Sequence, residues 1–250
     1  MKKLTLTFLA IITASLIYAQ GFEFGIHGAY SSTWLLNQNV NDQGENLNPV
    51  STFAPLFGIS AKYTVAKSIG IMAELNLASV DQKYDGSVTG VSYAVTTKTN
   101  WIDIPVLIVL RSTGGFYFEL GPQFSFLSGA QETFTSTPPD PIFNYSDKDF
   151  KNNFKNSQVA GVFGFGGDIP VSDYFRVVAG LRFTYALTDA INKLSETELI
   201  TEALNGELSL PATYAHLDQL QNYHYERTTI LTGGFHLGVV YVLNGKAKEN

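Results

Sequence analysis

Hydrophobic and polar residues alternate one by one in eight separate stretches of this chain. Successive side chains of a β-strand point to opposite faces, so this alternation predicts strands with one apolar and one polar face. A helix would instead repeat its apolar positions every three or four residues. The eight predicted strands cover residues 22–31, 57–64, 69–78, 101–108, 116–126, 162–169, 175–187 and 235–243.

The connections between the predicted strands are alternately long and short. Strands two and three, four and five, and six and seven are joined by a few residues each, whereas four connections are long. The long connections cover about residues 33–52, 81–97, 129–156 and 189–226. Short periplasmic turns and long extracellular loops are typical of outer-membrane barrels. The sequence therefore predicts an all-β fold, an eight-stranded antiparallel transmembrane β-barrel with both termini on the periplasmic side.

The polarity of the two faces distinguishes this barrel from a soluble one. A lipocalin-like barrel closes the same number of strands but keeps its apolar face inside. Here the apolar face carries no charged residue, and aromatic residues lie near the strand ends, as expected for the girdles at the membrane interfaces. These aromatic residues are Phe22, Tyr30, Tyr63, Phe116, Phe126, Phe175, Tyr185 and Tyr241. We therefore expect the apolar face to contact outer-membrane lipid.

The N-terminal residues have the layout of a secretory signal peptide. Two lysines precede an apolar run over residues 4–17, and Ala19 offers a small residue for cleavage before Gln20. This run is shorter than the about 20 apolar residues that a membrane-spanning helix needs. We expect export to the outer membrane of a Gram-negative bacterium. The predicted divisions are a signal peptide at 1–19, a barrel domain at 20–243 and a short periplasmic tail at 244–250.

Composition excludes several classes of function. The chain has no cysteine, which excludes disulfides, thiol catalysis and cysteine-based metal sites. Its formal net charge of −6 argues against a nucleic-acid partner, which requires a basic surface. No second run of 18 apolar residues offers a transmembrane helix, so a spanning protein of this sequence must be a closed barrel.

The polar face places several ionisable residues inside the barrel. An eight-stranded barrel is just wide enough for its interior to fill with side chains, and charges held there must pair. We therefore expect a structural ion-pair network that plugs the lumen, with an ion-conducting path as the alternative. The predicted network consists of Lys62, Glu74, Asp103, Glu119, Arg176 and Arg182. We expect no catalytic residue, cofactor or metal ion.

Four histidines could support other chemistry. His27 and His236 face inward on the first and last strands, but two imidazoles without a nearby carboxylate make a weak metal site. His216 and His224 lie in the last long loop, where an enzyme acting on lipid or peptide could place an acid and a base. No G-x-S-x-G motif accompanies them. In the same loop, residues 195–206 predict a short helix that packs over the barrel mouth, with Ser195 as its N-cap.

Four segments carry a family resemblance. They are residues 24–32 (FGIHGAYSS), 101–107 (WIDIPVL), 116–123 (FYFELGPQ) and 181–189 (LRFTYALTD). Together they resemble the PorT-type outer-membrane β-barrel proteins of the Bacteroidetes, and the likeness covers nearly all of the mature chain. This resemblance implies an outer-membrane barrel and an accessory role in type IX-like protein secretion.

The sequence thus favours a non-enzymatic barrel that acts as an anchor or an extracellular binding surface. Secretion or envelope proteins that bind the loops are the partners expected under the alternative of a secretion accessory. A barrel enzyme acting on lipid or peptide is the third hypothesis.

Overall fold

The structure is a computed structural model of the chain, and it describes residues 21–88, 90–139, 144–216 and 224–243. The predicted signal peptide, with its cleavage site at Ala19 and Gln20, lies outside the described residues. The predicted periplasmic tail at 244–250 also lies outside them.

Eight long strands form a closed antiparallel ring, which confirms the predicted barrel. The last strand pairs with the first along nearly its whole length, and this pairing closes the ring. In ring order the strands are β1 (Phe22–Leu36), β3 (Thr52–Ala66), β4 (Ile69–Val88), β5 (Val91–Arg111), β6 (Phe116–Thr137), β8 (Ser157–Pro170), β9 (Phe175–Ala186) and β10 (Thr229–Val242). Two short strands lie outside the ring, β2 (Asn48–Val50) against β4 and β7 (Tyr145–Asp149) against β6.

Burial of the two faces is inverted relative to a soluble protein. Leu181 is 41% exposed, whereas the next residue, Arg182, is 8% exposed and points into the lumen. The same contrast holds around the ring: the apolar faces are exposed and the charged faces are buried. Aromatic rings pair near both ends of the strands, Phe22 with Tyr63 and Tyr30 with Phe53, at 4.9 and 5.7 Å between centroids. The exposed apolar band is therefore the surface that lipid covers.

Three neighbouring strands extend far beyond the others. β4, β5 and β6 have 20, 21 and 22 residues, whereas the other ring strands have 12 to 15. The prediction of a long loop at 81–97 is therefore wrong. These residues form a β-hairpin, whose first residue pair is Asp81 with Lys98 and whose last is Val88 with Val91. The connection predicted at 129–156 likewise begins with the continuation of β6. We call this projecting sheet the extracellular extension.

Pro105 and Pro122 lie inside ring strands without shifting the strand register. Pro105 of β5 lies opposite Gln123, and Pro122 of β6 lies opposite Gly161 of β8. Proline is normally confined to edge strands or bulges, yet neither of these positions has a bulge. The register shift between β5 and β6 lies instead at Asn100 and Trp101, where the extracellular extension leaves the barrel.

Helices occur in the extracellular connections. They are α1 (Gln38–Asn41), α2 (Glu196–Leu204) and α3 (Leu210–His216), with short 3-10 turns at Gly44–Asn46 and Lys151–Asn153. The helix predicted at 195–206 is confirmed as α2, including the capping box between Ser195 and Glu198. Among the described residues, no helix is long and apolar enough to cross a bilayer.

Candidate functional site

The lumen contains two separate clusters of charged side chains. The cluster nearer the periplasmic turns, here the lower cluster, joins five strands. Glu23 pairs with Lys62 at 2.7 Å and with Arg111 at 3.2 Å. Asp168 in turn pairs with Arg111 at 2.5 Å and with Arg176 at 2.6 Å. All five side chains are at least nine-tenths buried. Each of them contacts a side chain of opposite charge, as a buried charge requires.

The upper cluster lies near the middle of the lumen and is built around Arg182. Its guanidinium contacts Glu74 at 2.7 Å and Glu119 at 2.5 Å. Gly164 of β8 makes room for this arrangement, because a Cβ at that position would lie 2.3 Å from Glu119 Oε1. One arginine thus holds carboxylates from two other strands in the interior.

The predicted network is therefore divided between the two clusters. Glu74, Glu119 and Arg182 meet in the upper cluster, whereas Lys62 and Arg176 belong to the lower one. The sequence-based network omitted three members of the lower cluster, Glu23, Arg111 and Asp168. The alternation that assigned Asp103 to the lumen continues, two residues at a time, to Arg111, so extending the fourth predicted strand would have identified this arginine.

Asp103 differs from what the sequence predicts. Although its side chain faces the lumen and the residue is 6% exposed, it makes no ion pair within the described part of the chain. It shares a hydrogen bond with Ser125, and its Oδ1 atom has no hydrogen-bond partner. The expectation that Asp103 belongs to the ion-pair network is wrong: the Arg182 guanidinium bonds to the carboxylates of Glu74 and Glu119 instead.

A small cavity and an apolar cap lie above the upper cluster. The cavity has a volume of about 50 Å³ and is lined by Asp103, Gln158 and Thr184, among others. This volume suffices for a few water molecules. The capping cluster above it contains Leu35, Val80, Trp101, Leu127, Ala130, Phe154, Ala186, Ala190, Ile191, Ala212, Ala215 and Ile230, all at most 7% exposed. The lumen therefore ends in a packed apolar layer on the extracellular side.

The helix that covers the barrel mouth is α3, and the sequence did not predict it. Four of its residues, Pro211, Ala212, Ala215 and His216, are buried, and the two alanines belong to the capping cluster. By contrast α2, which the sequence placed over the mouth, buries Leu199 and leaves Leu204 84% exposed. The expectation for α2 is therefore wrong.

His216 of α3 has both ring nitrogens occupied by backbone groups. Nδ1 lies 2.7 Å from the carbonyl oxygen of Ala212, and Nε2 accepts a hydrogen bond of 2.8 Å from the amide of Leu194. Because Nε2 accepts, the imidazole is neutral with its proton on Nδ1. Burial lowers the pKa of His216 below its ordinary value. His224 is instead exposed and lies 2.8 Å from Glu226. Residues 217–223, between the two histidines, lie outside the described residues.

The two lumen histidines lie together, as expected for the strands that close the barrel. The rings of His27 and His236 are 4.7 Å apart. His27 Nε2 lies 2.8 Å from Asn76 Oδ1 and 3.5 Å from Glu74 Oε2. The sequence-based statement that no carboxylate accompanies this pair is wrong, because Glu74 reaches it from β4. Among the residues that the structure describes, neither ring nitrogen of His236 has a hydrogen-bond partner.

A buried glutamate links the last extracellular connection to the extracellular extension by hydrogen bonds. Glu132 of β6 is 1% exposed and accepts hydrogen bonds of 2.7 Å from both Thr97 and Tyr145. The same carboxylate accepts the backbone amide of Leu210, the first residue of α3, at 3.1 Å. Glu132 thus joins β5, β6, β7 and α3.

An open groove lies on the other side of the extracellular extension. Its volume is about 860 Å³, and its lining combines hydroxyl and amide side chains with apolar groups such as Leu47 and Pro49. The lining includes Asn41, Asn48, Asp85, Ser92, Tyr93 and Thr135. Tyr93 donates a hydrogen bond to the carbonyl of Asn46 and stacks on Phe134 at 5.7 Å, so one wall of the groove is rigid.

Comparison with known proteins agrees with this architecture. The family model of the outer membrane protein beta-barrel domain matches residues 18–192, well over half of the chain. No curated protein matches significantly. Solved structures with a similar fold include Neisserial surface protein A (NspA), 12% identical over 89% of this chain and 97% of that one, with a TM-score of 0.40. Ail of Yersinia pestis is 11% identical over 89% of this chain and 98% of that one, with a TM-score of 0.37. OprG of Pseudomonas aeruginosa is 13% identical over 89% of this chain and 96% of that one, with a TM-score of 0.37.

The family match and the closed ring of strands with its exposed apolar band establish the same compartment. The protein is located in the outer membrane of a Gram-negative bacterium, and it belongs to the outer membrane protein beta-barrel domain family.

Proposed function

We propose that this protein is a non-enzymatic barrel whose closed lumen serves as a rigid anchor and whose extracellular groove binds a ligand. The observation that supports the proposal best is the contrast between the two ends of the molecule. Side-chain clusters and an apolar cap fill the lumen, whereas the extracellular extension carries a groove of about 860 Å³. A volume of this size fits the range of small-molecule sites.

The lining of the groove favours a neutral, polar ligand such as a saccharide. Among the side chains that the structure describes, Asp85 is the one carboxylate of the lining, and Lys83 pairs with it at 3.1 Å, so these residues contribute little net charge. The hydroxyls and amides of the wall can donate to and accept from sugar hydroxyls, and the ring of Tyr93 offers an apolar face beside them.

The environment of the histidines supports a non-enzymatic role. His216 uses both nitrogens on backbone groups and so has no site left to accept a substrate proton. The exposed pair of His224 and Glu226 has the geometry of a surface ion pair. General base catalysis requires a ring nitrogen that can take a proton from a substrate, and both nitrogens of His216 are engaged with backbone groups.

Glycan-array binding tests this function directly, with the purified barrel in lipid nanodiscs. We expect wild-type protein to bind a set of neutral saccharides and Ser92→Trp, which fills the groove, to lose that binding. Ser146→Trp, on exposed β7 away from the groove, is the matched control and should bind as wild type does. Absence of saccharide binding by the wild type, or equal binding by Ser92→Trp, would contradict the proposal.

The finer resemblance to PorT-type proteins remains a prediction, and with it an accessory role in protein secretion. Four sequence segments support it, including residues 101–107 and 116–123. Its test is the composition of complexes that co-purify with the barrel from gently solubilised membranes. Stoichiometric recovery of a large secretion complex would favour this role over saccharide binding in the extracellular groove.

A further inference from the structure

Three side chains that can ligate a metal ion converge at the seam of the barrel. His27 lies on the first ring strand, His236 on the last and Glu74 on β4. One ligand atom of each residue lies within 4.8 Å of those of the other two, and all three residues are buried. Since β1 and β10 pair only by closing the ring, this cluster forms when the barrel closes.

The two ring nitrogens of His236 lack a hydrogen-bond partner among the described residues. The residue is 5% exposed, its ring is 4.7 Å from that of His27, and both of its nitrogens are buried without a hydrogen bond. Buried polar groups in folded proteins are nearly always satisfied, because an unsatisfied one loses its bonds to water without replacing them. An imidazole with two free nitrogens beside another imidazole and a carboxylate therefore requires an explanation.

The charge of the upper cluster favours a cation at this position. Arg182 contributes one positive charge between the two carboxylates of Glu74 and Glu119, so a further positive charge beside these carboxylates is electrostatically favourable. Of the two oxygens of Glu74, Oε1 accepts one hydrogen bond among the described contacts, from Arg182 Nη2 at 2.9 Å. A carboxylate oxygen has two lone pairs, so Oε1 retains one for a metal ion.

We propose that His27, His236 and Glu74 form a binding site for a divalent transition metal ion of the zinc class. Two imidazole nitrogens with one carboxylate oxygen are a donor set that suits Zn²⁺. Ligand–metal distances of about 2.0–2.2 Å require the three side chains to move closer together by side-chain rotation, and ligation through His27 Nε2 replaces the hydrogen bond that this atom donates to Asn76 Oδ1 at 2.8 Å. The ion links the first and last strands to β4, and so stabilises the closed ring.

This proposal is independent of the extracellular groove and of its ligand. It also differs from a purely structural arrangement, in which His27 and His236 only fill space inside the lumen. The two arrangements predict different responses to added metal, because only a ligand site takes up a stoichiometric ion.

The experiment uses full-length barrel, refolded in detergent with EDTA and then equilibrated with Zn²⁺ or Co²⁺. We expect about one zinc ion per chain by mass spectrometry of the metal content, a visible d–d absorption band with Co²⁺, and a higher urea midpoint with zinc than with EDTA. His236→Gln should lose the bound ion and the zinc-dependent gain in stability. His224→Gln, at an exposed histidine outside the cluster, should keep both.

His27→Gln provides a second variant if His236→Gln does not fold, and it should also lose the ion. The wild-type measurements with Co²⁺ need no variant at all. Absence of stoichiometric zinc and of the cobalt band in the wild type would overturn the proposal. Equal zinc retention by wild type and a folded His236→Gln or His27→Gln would overturn it as well.

Discussion

Arg182 and Glu74 are joined across the lumen by two parallel hydrogen bonds, of 2.7 and 2.9 Å. Their strands, β9 and β4, are separated by three strands on either side of the ring, so the pair spans the full width of the barrel. A contact of this kind is possible because an eight-stranded barrel is just wide enough to be filled by side chains. The ion pair thus closes the lumen at its middle.

Removal of Arg182 should destabilise the barrel strongly. Arg182→Met leaves Glu74 and Glu119 buried without their cation, and breaking a buried pair in this way costs about 3–5 kcal/mol. Lys83→Met is the matched control, since Lys83 pairs with Asp85 on the surface with both side chains at least 40% exposed. A surface pair contributes about 0–1 kcal/mol. Urea unfolding in lipid vesicles measures both, and similar losses in the two variants would contradict the assigned role of Arg182.

Charge on the lipid-facing side should be far less tolerated than charge in the lumen. Leu181→Arg places a guanidinium against lipid and should cost about 2–4 kcal/mol near the bilayer midplane. Gln158→Arg is the matched variant, because Gln158 lines the lumen cavity together with the unpaired Asp103. Gly180 would be a poor control although it faces inward, since a Cβ there meets the carbonyl of Phe165 at 2.4 Å. Equal destabilisation by Leu181→Arg and Gln158→Arg in refolding titrations would refute the assignment of the faces.

Acidification should loosen the cap that α3 forms. Burial lowers the folded-state pKa of His216 below its ordinary 6.5, so the unfolded segment binds more protons than the folded one. The contribution of His216 to stability is therefore complete above pH 6.5 and is lost as the pH falls through the lowered pKa. Asp189 and Lys193 lie close enough to influence this titration in opposite directions.

Hydrogen–deuterium exchange over residues 194–216 at pH 7.5 and pH 5 measures this effect. The amide of Leu194 should exchange much faster at pH 5, after correction for intrinsic rates. His216→Gln can still donate and accept but does not titrate, so its protection should depend little on pH, whereas His224→Gln should behave as wild type. A pH dependence that survives in His216→Gln would show that another group is responsible.

Loss of the Glu132 carboxylate should free the last extracellular connection without unfolding the barrel. Glu132→Ala removes the acceptor shared by Thr97, Tyr145 and the amide of Leu210, at a cost of about 1–3 kcal/mol for the groups left unsatisfied. We expect faster limited proteolysis in the connection that contains α2 and α3, with an unchanged urea midpoint for the ring strands. Unchanged proteolysis would show that the apolar cap alone holds α3.

The ring of strands could be predicted from sequence because lipid imposes a strict pattern on it. One face must be apolar and uncharged, so alternation is strong wherever the strand crosses the membrane, as in residues 175–187. The extracellular extension has no such constraint. Residues 91–100 have hydroxyl and apolar side chains on both faces, and their strand-favouring threonines, valines and tyrosine were the available signal.

The sequence predicts which charged side chains face the lumen, but not which of them contact each other. Alternation identifies which charges face inward, but the height of each residue depends on the stagger between strands, which the sequence does not contain. Glu74 therefore was not expected beside His27, and Asp103 was expected in a network from which it is absent. α3 was missed because a seven-residue helix that contains Pro211 shows too little periodicity to be recognised.

The central claim, a lumen closed by paired charges and an apolar cap, is tested most directly by single-channel recording of wild-type protein in planar lipid bilayers. The account predicts no steady conductance above the baseline of the membrane at neutral pH. Steady openings with the conductance of a wide porin would show that the lumen is an open aqueous path, and would contradict the account.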